Sequence, residues 1–144
     1  MKIDLKKGKI FLKLNIERCR ELYDTGILYD GGRNPFTQSV FIELMIIIRH
    51  LDHILNVELD DNLTIIKLRD AGVHPYLNRE INDGSIVIDF ARNFKGNWKY
   101  ENKVFTKQDD TCDIEFQYGS SVISIKEILN LIEIFESRLK NYEN

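Results

Sequence analysis

The spacing of apolar residues changes from a helical period to a strand-like period and back again along this chain of 144 residues. Four stretches carry apolar residues three and four positions apart, which is the period of an amphipathic helix. Between the third and fourth stretches the apolar residues alternate with polar ones, which is the period of a β-strand. The two periods predict a mainly helical α+β fold, with a small antiparallel β insertion at about residues 85–125 before the last helix.

Capping and stop signals predict the ends of the four helices. The first helix is expected over Leu12 to Thr25, with Leu14, Arg18 and Leu22 at helical spacing and Gly26 as its stop. The second has the clearest apolar face, comprising Phe41, Leu44, Met45, Ile48, Leu51 and Leu55. The second helix is expected to start at Asn34-Pro35. The third is expected from Asp61 or Asn62 to about Ala71, and the fourth from Lys126 to Lys140.

Alternating apolar residues mark three strand segments in the insertion. The first follows Asn82-Asp83-Gly84, and the last two are joined by a hairpin signal around Gly119. Neither an internal repeat nor a Pro/Ser-rich linker divides the sequence, so residues 1–144 are expected to form a single domain. The apolar residues of the three segments are Ile86, Ile88 and Phe90, then Ile114, Phe116 and Tyr118, and finally Val122 to Ile125.

Composition and the N-terminal residues favour a cytoplasmic protein. Lysines interrupt the apolar residues of the N-terminus, so the apolar core of a signal peptide is not expected. The longest apolar stretch, Val40 to Ile48, contains Glu43 and is too short to span a membrane, so no membrane association is expected. Cys19 and Cys112 lack the spacing of a metal-binding pair, and we expect both to be free thiols in a reducing compartment.

A basic segment lies within a chain whose net charge is −3. It carries basic residues at positions 92, 95, 99, 103 and 107 against one acid, and an acidic run at positions 109–115 follows. Basic residues mixed with aromatic ones are typical of surfaces on which RNA bases stack. The predicted RNA-binding residues are Arg92, Lys95, Trp98 and Lys99. In the alternative interpretation the segment is a hairpin loop, whose lysines pair with the acidic run and whose Trp98 packs on the helices.

The motif that most directly suggests a catalytic function lies at the end of the third predicted helix and consists of Arg69, Asp70 and His74. Histidine can act as a general base or acid near neutral pH, and arginine can bind phosphate oxygens as negative charge develops on them. Such a pair suits RNA cleavage by attack of the 2′-hydroxyl on the neighbouring phosphate, without a metal or other cofactor. The alternative is structural: Arg69 and Asp70 form an ion pair at the helix end, and His74 caps the last carbonyls.

The segment from Arg69 to Tyr76 resembles the signature of the HEPN superfamily (higher eukaryotes and prokaryotes nucleotide-binding domains), which is an arginine, a polar residue, a few further residues and a histidine. The resemblance implies a four-helix bundle, and the β insertion is a departure from it. Many members are metal-independent endoribonucleases of toxin–antitoxin or phage-defence systems, and they act as homodimers. The resemblance further implies that His74 is the general acid or base, that Arg69 binds the phosphate and that Asp70 is an orienting group. The partners that it implies are RNA and an antitoxin or defence protein.

Two other functions stay open at the level of the sequence. The chain could be a non-catalytic HEPN-fold module that binds nucleotides, assembles with a partner or acts like an antitoxin, or a partner-binding protein unrelated to nucleic acid. His50 and His53 have a spacing that allows shared metal coordination, with Asp52 between them. Because no pattern of acids or cysteines completes such a site, we predict no metal and interpret both histidines as exposed residues of an amphipathic helix.

Overall fold

The computed structural model describes residues 5–30, 34–55, 62–73 and 91–143. Within these ranges the fold is mixed α+β and mainly helical, which confirms the predicted class, and the strands lie between the third and fourth helices. The helices are α1 (Leu5–Asp24), α2 (Thr37–Leu55), α3 (Asn62–Val73) and α4 (Ile125–Glu143), with a short 3-10 turn at Ile27–Tyr29. The strands are β1 (Ala91–Lys95), β2 (Trp98–Glu101), β3 (Val104–Lys107), β4 (Asp113–Tyr118) and β5 (Ser121–Ser124).

Helix α1 differs most from its prediction. It begins at Leu5 rather than Leu12, and Leu14, which the helical spacing placed on the apolar face, is 60% exposed. An amphipathic helix buries only one stripe of residues, and the described lysines of α1, Lys9 and Lys13, are exposed outside that stripe. The residues of α1 that are buried are Leu12, Ile16, Cys19 and Leu22.

Local hydrogen bonds decide where α2 and α4 begin. Asn34 accepts the backbone N–H of Phe36 through its side-chain oxygen at 2.8 Å, so Asn34 and Pro35 form a turn and α2 starts only at Thr37. Ser124 accepts the backbone N–H of Glu127 through its hydroxyl oxygen at 3.1 Å, as an N-cap residue does. The predicted strand from Val122 to Ile125 is therefore wrong at its last residue, which is the first residue of α4.

The strands form two antiparallel sheets. One has the order β1-β4-β5, and the other is the hairpin of β2 and β3. The predicted strands around Phe116 and Val122 are confirmed, whereas the spacing of apolar residues does not predict the three strands between residues 91 and 107. The segment from Ile86 to Phe90, which was predicted to be a strand, lies outside the described residues.

The helices and the three-stranded sheet share one hydrophobic core. All six residues of the predicted apolar face of α2 are buried. The ring of Phe41 on α2 stacks on that of Phe116 on β4, with 4.1 Å between the ring centroids, so α2 packs directly against the sheet. Ile65 and Leu68 of α3 are fully buried, and the buried residues of α4 are Ile125, Ile128, Leu131, Ile132 and Phe135.

The turn between β2 and β3 places two non-glycine residues in the left-handed region. Asn102 has φ 54° and Lys103 has φ 65°, as the two central residues of a type I′ turn require. Asparagine tolerates this conformation, but the side chain of a lysine crowds its own backbone there at a cost of about 1–2 kcal/mol.

Replacing Lys103 with glycine should raise the free energy of unfolding by about 0.5–1 kcal/mol, since relief of the left-handed strain exceeds the entropy that glycine adds to the unfolded chain. Urea denaturation measures the difference. Lys103→Ala is the matched control, because it removes the same charge but keeps a Cβ atom at positive φ. Equal stabilities of the glycine and alanine variants would contradict the strain argument.

Both cysteines are free thiols and are buried. Burial, with a smaller contribution from the negative charge of Glu43, raises the pKa of the Cys19 thiol from 9.0 to about 12. The folded state therefore holds the thiol proton to a higher pH than the unfolded chain does. This contribution to stability is complete below pH 9 and is lost as the pH rises from about 9 to about 12.

Between pH 9 and pH 11, the free energy of unfolding of the wild type should fall more steeply with pH than that of Cys19→Ala. The difference in slope approaches about 1.4 kcal/mol per pH unit, which is the linkage value for one proton. Urea denaturation at half-unit pH steps measures both slopes, with Cys112→Ala as the matched control. Parallel curves for wild type and Cys19→Ala would show that the buried thiol does not resist ionisation.

Candidate functional site

A cleft of about 220 Å³ lies where α2 and α3 meet, and the part of its lining that the structure describes consists of basic side chains. Helix α2 supplies three of them and α3 supplies one. The described lining residues are Arg49, His50, His53 and Arg69. The two arginines carry permanent positive charge and histidine can acquire it, so the cleft has the electrostatic character of an anion-binding site.

The amphipathic pattern of α2 explains why its three cleft residues lie on the face away from the core. Leu51, Asp52 and Leu55 are buried, whereas His50 and His53 are exposed. At 3.6 residues per turn, positions 49, 50 and 53 fall within an arc of about 100° on the face opposite the core. The exposure of both histidines is the arrangement expected of an amphipathic helix, and their proximity to Arg69 comes from the packing of α2 on α3.

Arg69 reaches the cleft from the third turn of α3, next to the buried Leu68. Its Nε and Nη2 atoms both donate to Oδ1 of Asp70, at 3.0 and 2.7 Å. The two side chains are 31% and 46% exposed, so solvent and ligands can reach the ion pair. This pairing is the contact that the structural interpretation of the motif predicts, and it also holds the guanidinium at the rim of the cleft.

His74 lies outside the described residues, directly after the last residue of α3. Its role therefore stays a prediction. Of the three predicted catalytic residues, Arg69 and Asp70 are in direct contact, and the cleft adds Arg49, which sequence reasoning missed. The available signal was the sequence Arg49-His50-x-x-His53, which puts three basic side chains on one exposed helix face.

The predicted RNA-binding residues lie on β1 and β2 rather than at the cleft. Arg92 is exposed, and Lys95 forms an ion pair with Glu115 of the acidic run, as the hairpin alternative expects. Lys99 pairs with Glu101 at 3.3 Å. The indole N–H of Trp98 donates to the carbonyl of Lys95 at 2.7 Å. RNA would have to compete with these ion pairs, and the RNA-binding role of this segment stays a prediction.

The described residues offer neither a metal cluster nor a membrane-spanning helix. No three His, Cys, Asp or Glu side chains among them come together as metal ligands would. None of the helices in these ranges has both the length and the apolar composition needed to cross a bilayer. Comparison of the chain with models of protein families, with curated proteins and with solved structures gives no match.

Proposed function

We propose that this protein is a metal-independent endoribonuclease that cleaves RNA by attack of a 2′-hydroxyl on the adjacent phosphate. The observation that carries the proposal is the cleft, in which Arg69 of the motif lies with Arg49 and two exposed histidines. Cleavage of this kind is promoted by cationic groups that bind the phosphate and by groups that transfer protons, for which imidazoles are well suited, and one surface of the protein offers both.

The resemblance of the motif to HEPN proteins extends the proposal. The helices would form a HEPN-like bundle, with the sheets as its departure from the minimal form, and the active protein would be a homodimer in the cytoplasm. Arg92, Lys95, Trp98 and Lys99 would bind the RNA strand away from the cut. An antitoxin or another protein of a defence system would restrain the activity, because an unrestrained ribonuclease is toxic to its own cell.

Cleavage of total RNA in the presence of EDTA tests the proposal. The wild type should cleave and leave 2′,3′-cyclic phosphate ends, whereas His74→Ala should be slower by about 100-fold or more, as expected on removal of a general acid or base. Arg138→Gln, which changes an exposed residue of α4, is the control and should cleave like the wild type. Cleavage by His74→Ala at the wild-type rate would refute the role of His74, and inactivity of the pure wild type would refute the proposal.

The Arg69–Asp70 ion pair favours a second candidate, a non-catalytic module that binds nucleotides. In such a module the pair stabilises the end of α3 and the cleft holds a phosphate without breaking it. This candidate predicts RNA binding that weakens steeply with salt, as phosphate contacts by several basic residues do, and no cleavage at any salt concentration.

A further inference from the structure

Cleavage by a 2′-hydroxyl requires two proton transfers at opposite ends of the reacting phosphate. A base accepts the proton of the 2′-hydroxyl, and an acid donates a proton to the 5′-oxygen that leaves. The Arg69–His74 motif supplies only one imidazole, whereas the cleft contains two more, from His50 and His53. These two exposed histidines have no assigned role in the motif.

We propose that the scissile phosphate binds in the cleft between α2 and α3, and that His53 is the acid that protonates the leaving 5′-oxygen. The proposal rests on the endoribonuclease function proposed above. The 2′-oxygen forms a bond to phosphorus while its proton passes to the base. The bond from phosphorus to the 5′-oxygen then breaks, and that oxygen takes the proton of the His53 imidazolium, leaving a cyclic phosphate and a 5′-hydroxyl.

The order of residues around α2 distinguishes His53 from His50. Relative to Arg49, His53 is rotated by about 40° and His50 by about 100° around the helix axis. His53 therefore lies between Arg49 and His50 in angle, about one turn further along α2 than Arg49. A phosphate held between Arg49 of α2 and Arg69 of α3 would therefore be closer in angle to His53 than to His50, and a volume of about 220 Å³ accommodates a phosphate group.

The described groups around His53 in the cleft are mainly basic. On α2 the described neighbours in the cleft are Arg49 and His50, both basic, and on α3 the described neighbour is Arg69, whose guanidinium is paired with the Asp70 carboxylate. Asp52 is buried in the protein rather than in the cleft lining. A bound phosphate would place negative charge beside the two arginines and the His53 ring, and arginine forms charge-assisted hydrogen bonds with phosphate oxygens.

The first test measures phosphate binding independently of RNA cleavage. Histidine ring signals are recorded by NMR in wild-type protein titrated with inorganic phosphate at constant ionic strength, and His50→Gln and His53→Gln assign the signals. Both signals should shift saturably as the phosphate concentration rises. The double variant Arg49→Gln/Arg69→Gln should lose the effect and Arg138→Gln should keep it. The absence of a saturable shift in wild-type protein overturns the phosphate site.

The second test uses RNA with sulfur in place of the bridging 5′-oxygen, because a thiolate leaves without being protonated. His53→Ala should cleave ordinary RNA about 100-fold more slowly than the wild type but cleave the sulfur-containing RNA at nearly the wild-type rate. His50→Ala should be slowed less on ordinary RNA. An equal loss on both substrates would assign His53 a structural role and overturn its role as the acid.

The two tests separate failure of the inference from failure of the proposed function. Wild-type protein that binds phosphate but cleaves neither RNA refutes the endoribonuclease and its acid together, and leaves the phosphate site established. Wild-type protein that cleaves ordinary RNA while His53→Ala cleaves it at the same rate refutes only the role of His53.

Discussion

Gly96→Ala should lower the free energy of unfolding by about 3 kcal/mol or more, the largest loss that we expect from adding a single methyl group to this protein. A Cβ atom at this position would lie 2.2 Å from the carbonyl oxygen of Thr111 and 2.8 Å from the Cα of Cys112. Both contacts are with backbone, so relief requires the connections from β1 to β2 and from β3 to β4 to move apart. Gly96 also has φ 90°, a conformation that side chains rarely adopt.

Gly119→Ala is the matched control for this prediction. Gly119 also has positive φ, at 59°, but apart from its chain neighbours no heavy atom of the described residues lies within 4 Å of the Cβ position. The control isolates backbone strain, which costs about 1 kcal/mol for a non-glycine residue in the left-handed region. Urea denaturation of both variants measures the two losses, and equal losses would show that the close approach of Thr111 is not maintained in solution.

Arg69→Gln should reduce the rate of RNA cleavage by about 100- to 1000-fold, as removal of a charged donor to the reacting phosphate does in other enzymes. Glutamine keeps most of the length of the side chain but lacks the positive charge and the paired N–H donors of the guanidinium. Arg69→Lys should restore little of the rate, because an ammonium group cannot bind two phosphate oxygens in one plane. Initial rates on a defined RNA, measured with EDTA present, provide the comparison.

Asp70→Asn distinguishes the catalytic from the structural interpretation of the same ion pair. If Arg69 acts on the phosphate, the asparagine variant keeps the guanidinium at the cleft and should lose far less activity than Arg69→Gln. If the pair is only structural, the two variants should lose similar stability, within about 1 kcal/mol for an exposed pair, and neither should change RNA cleavage. Cleavage at the wild-type rate by Arg69→Gln would therefore exclude the phosphate-binding role.

Patterning predicted the parts of the fold where one face is buried along a whole element. The six apolar residues of α2 are spaced for burial and are all buried, and α4 was predicted to within three residues at both ends. The same reasoning was wrong for Leu14 of α1, because residues 10, 11 and 14 are apolar and yet exposed. A helix can bury only one stripe, and the pattern does not show which of two apolar stripes faces the core.

The strands between residues 91 and 107 lacked a clear pattern because few of their side chains are buried. Half-exposed hairpins mix polar and aromatic residues on both faces, so the alternation on which strand prediction depends is weak. The sequence also lacks the usual signal for the turn between β2 and β3. Asn102-Lys103 adopts a type I′ conformation, in which the second position is usually glycine.

By itself the sequence determined a mainly helical α+β chain, the apolar face of α2 and the proximity of Arg69 to Asp70, since all three depend on residues close in the chain. Only the tertiary structure decided that Arg69 shares a cleft with Arg49, His50 and His53. That neighbourhood depends on how α2 packs against α3. The buried faces of both helices determine how the helices pack. The cleft residues lie outside those faces, so their spacing in the sequence does not predict that Arg69 lies near the three residues of α2.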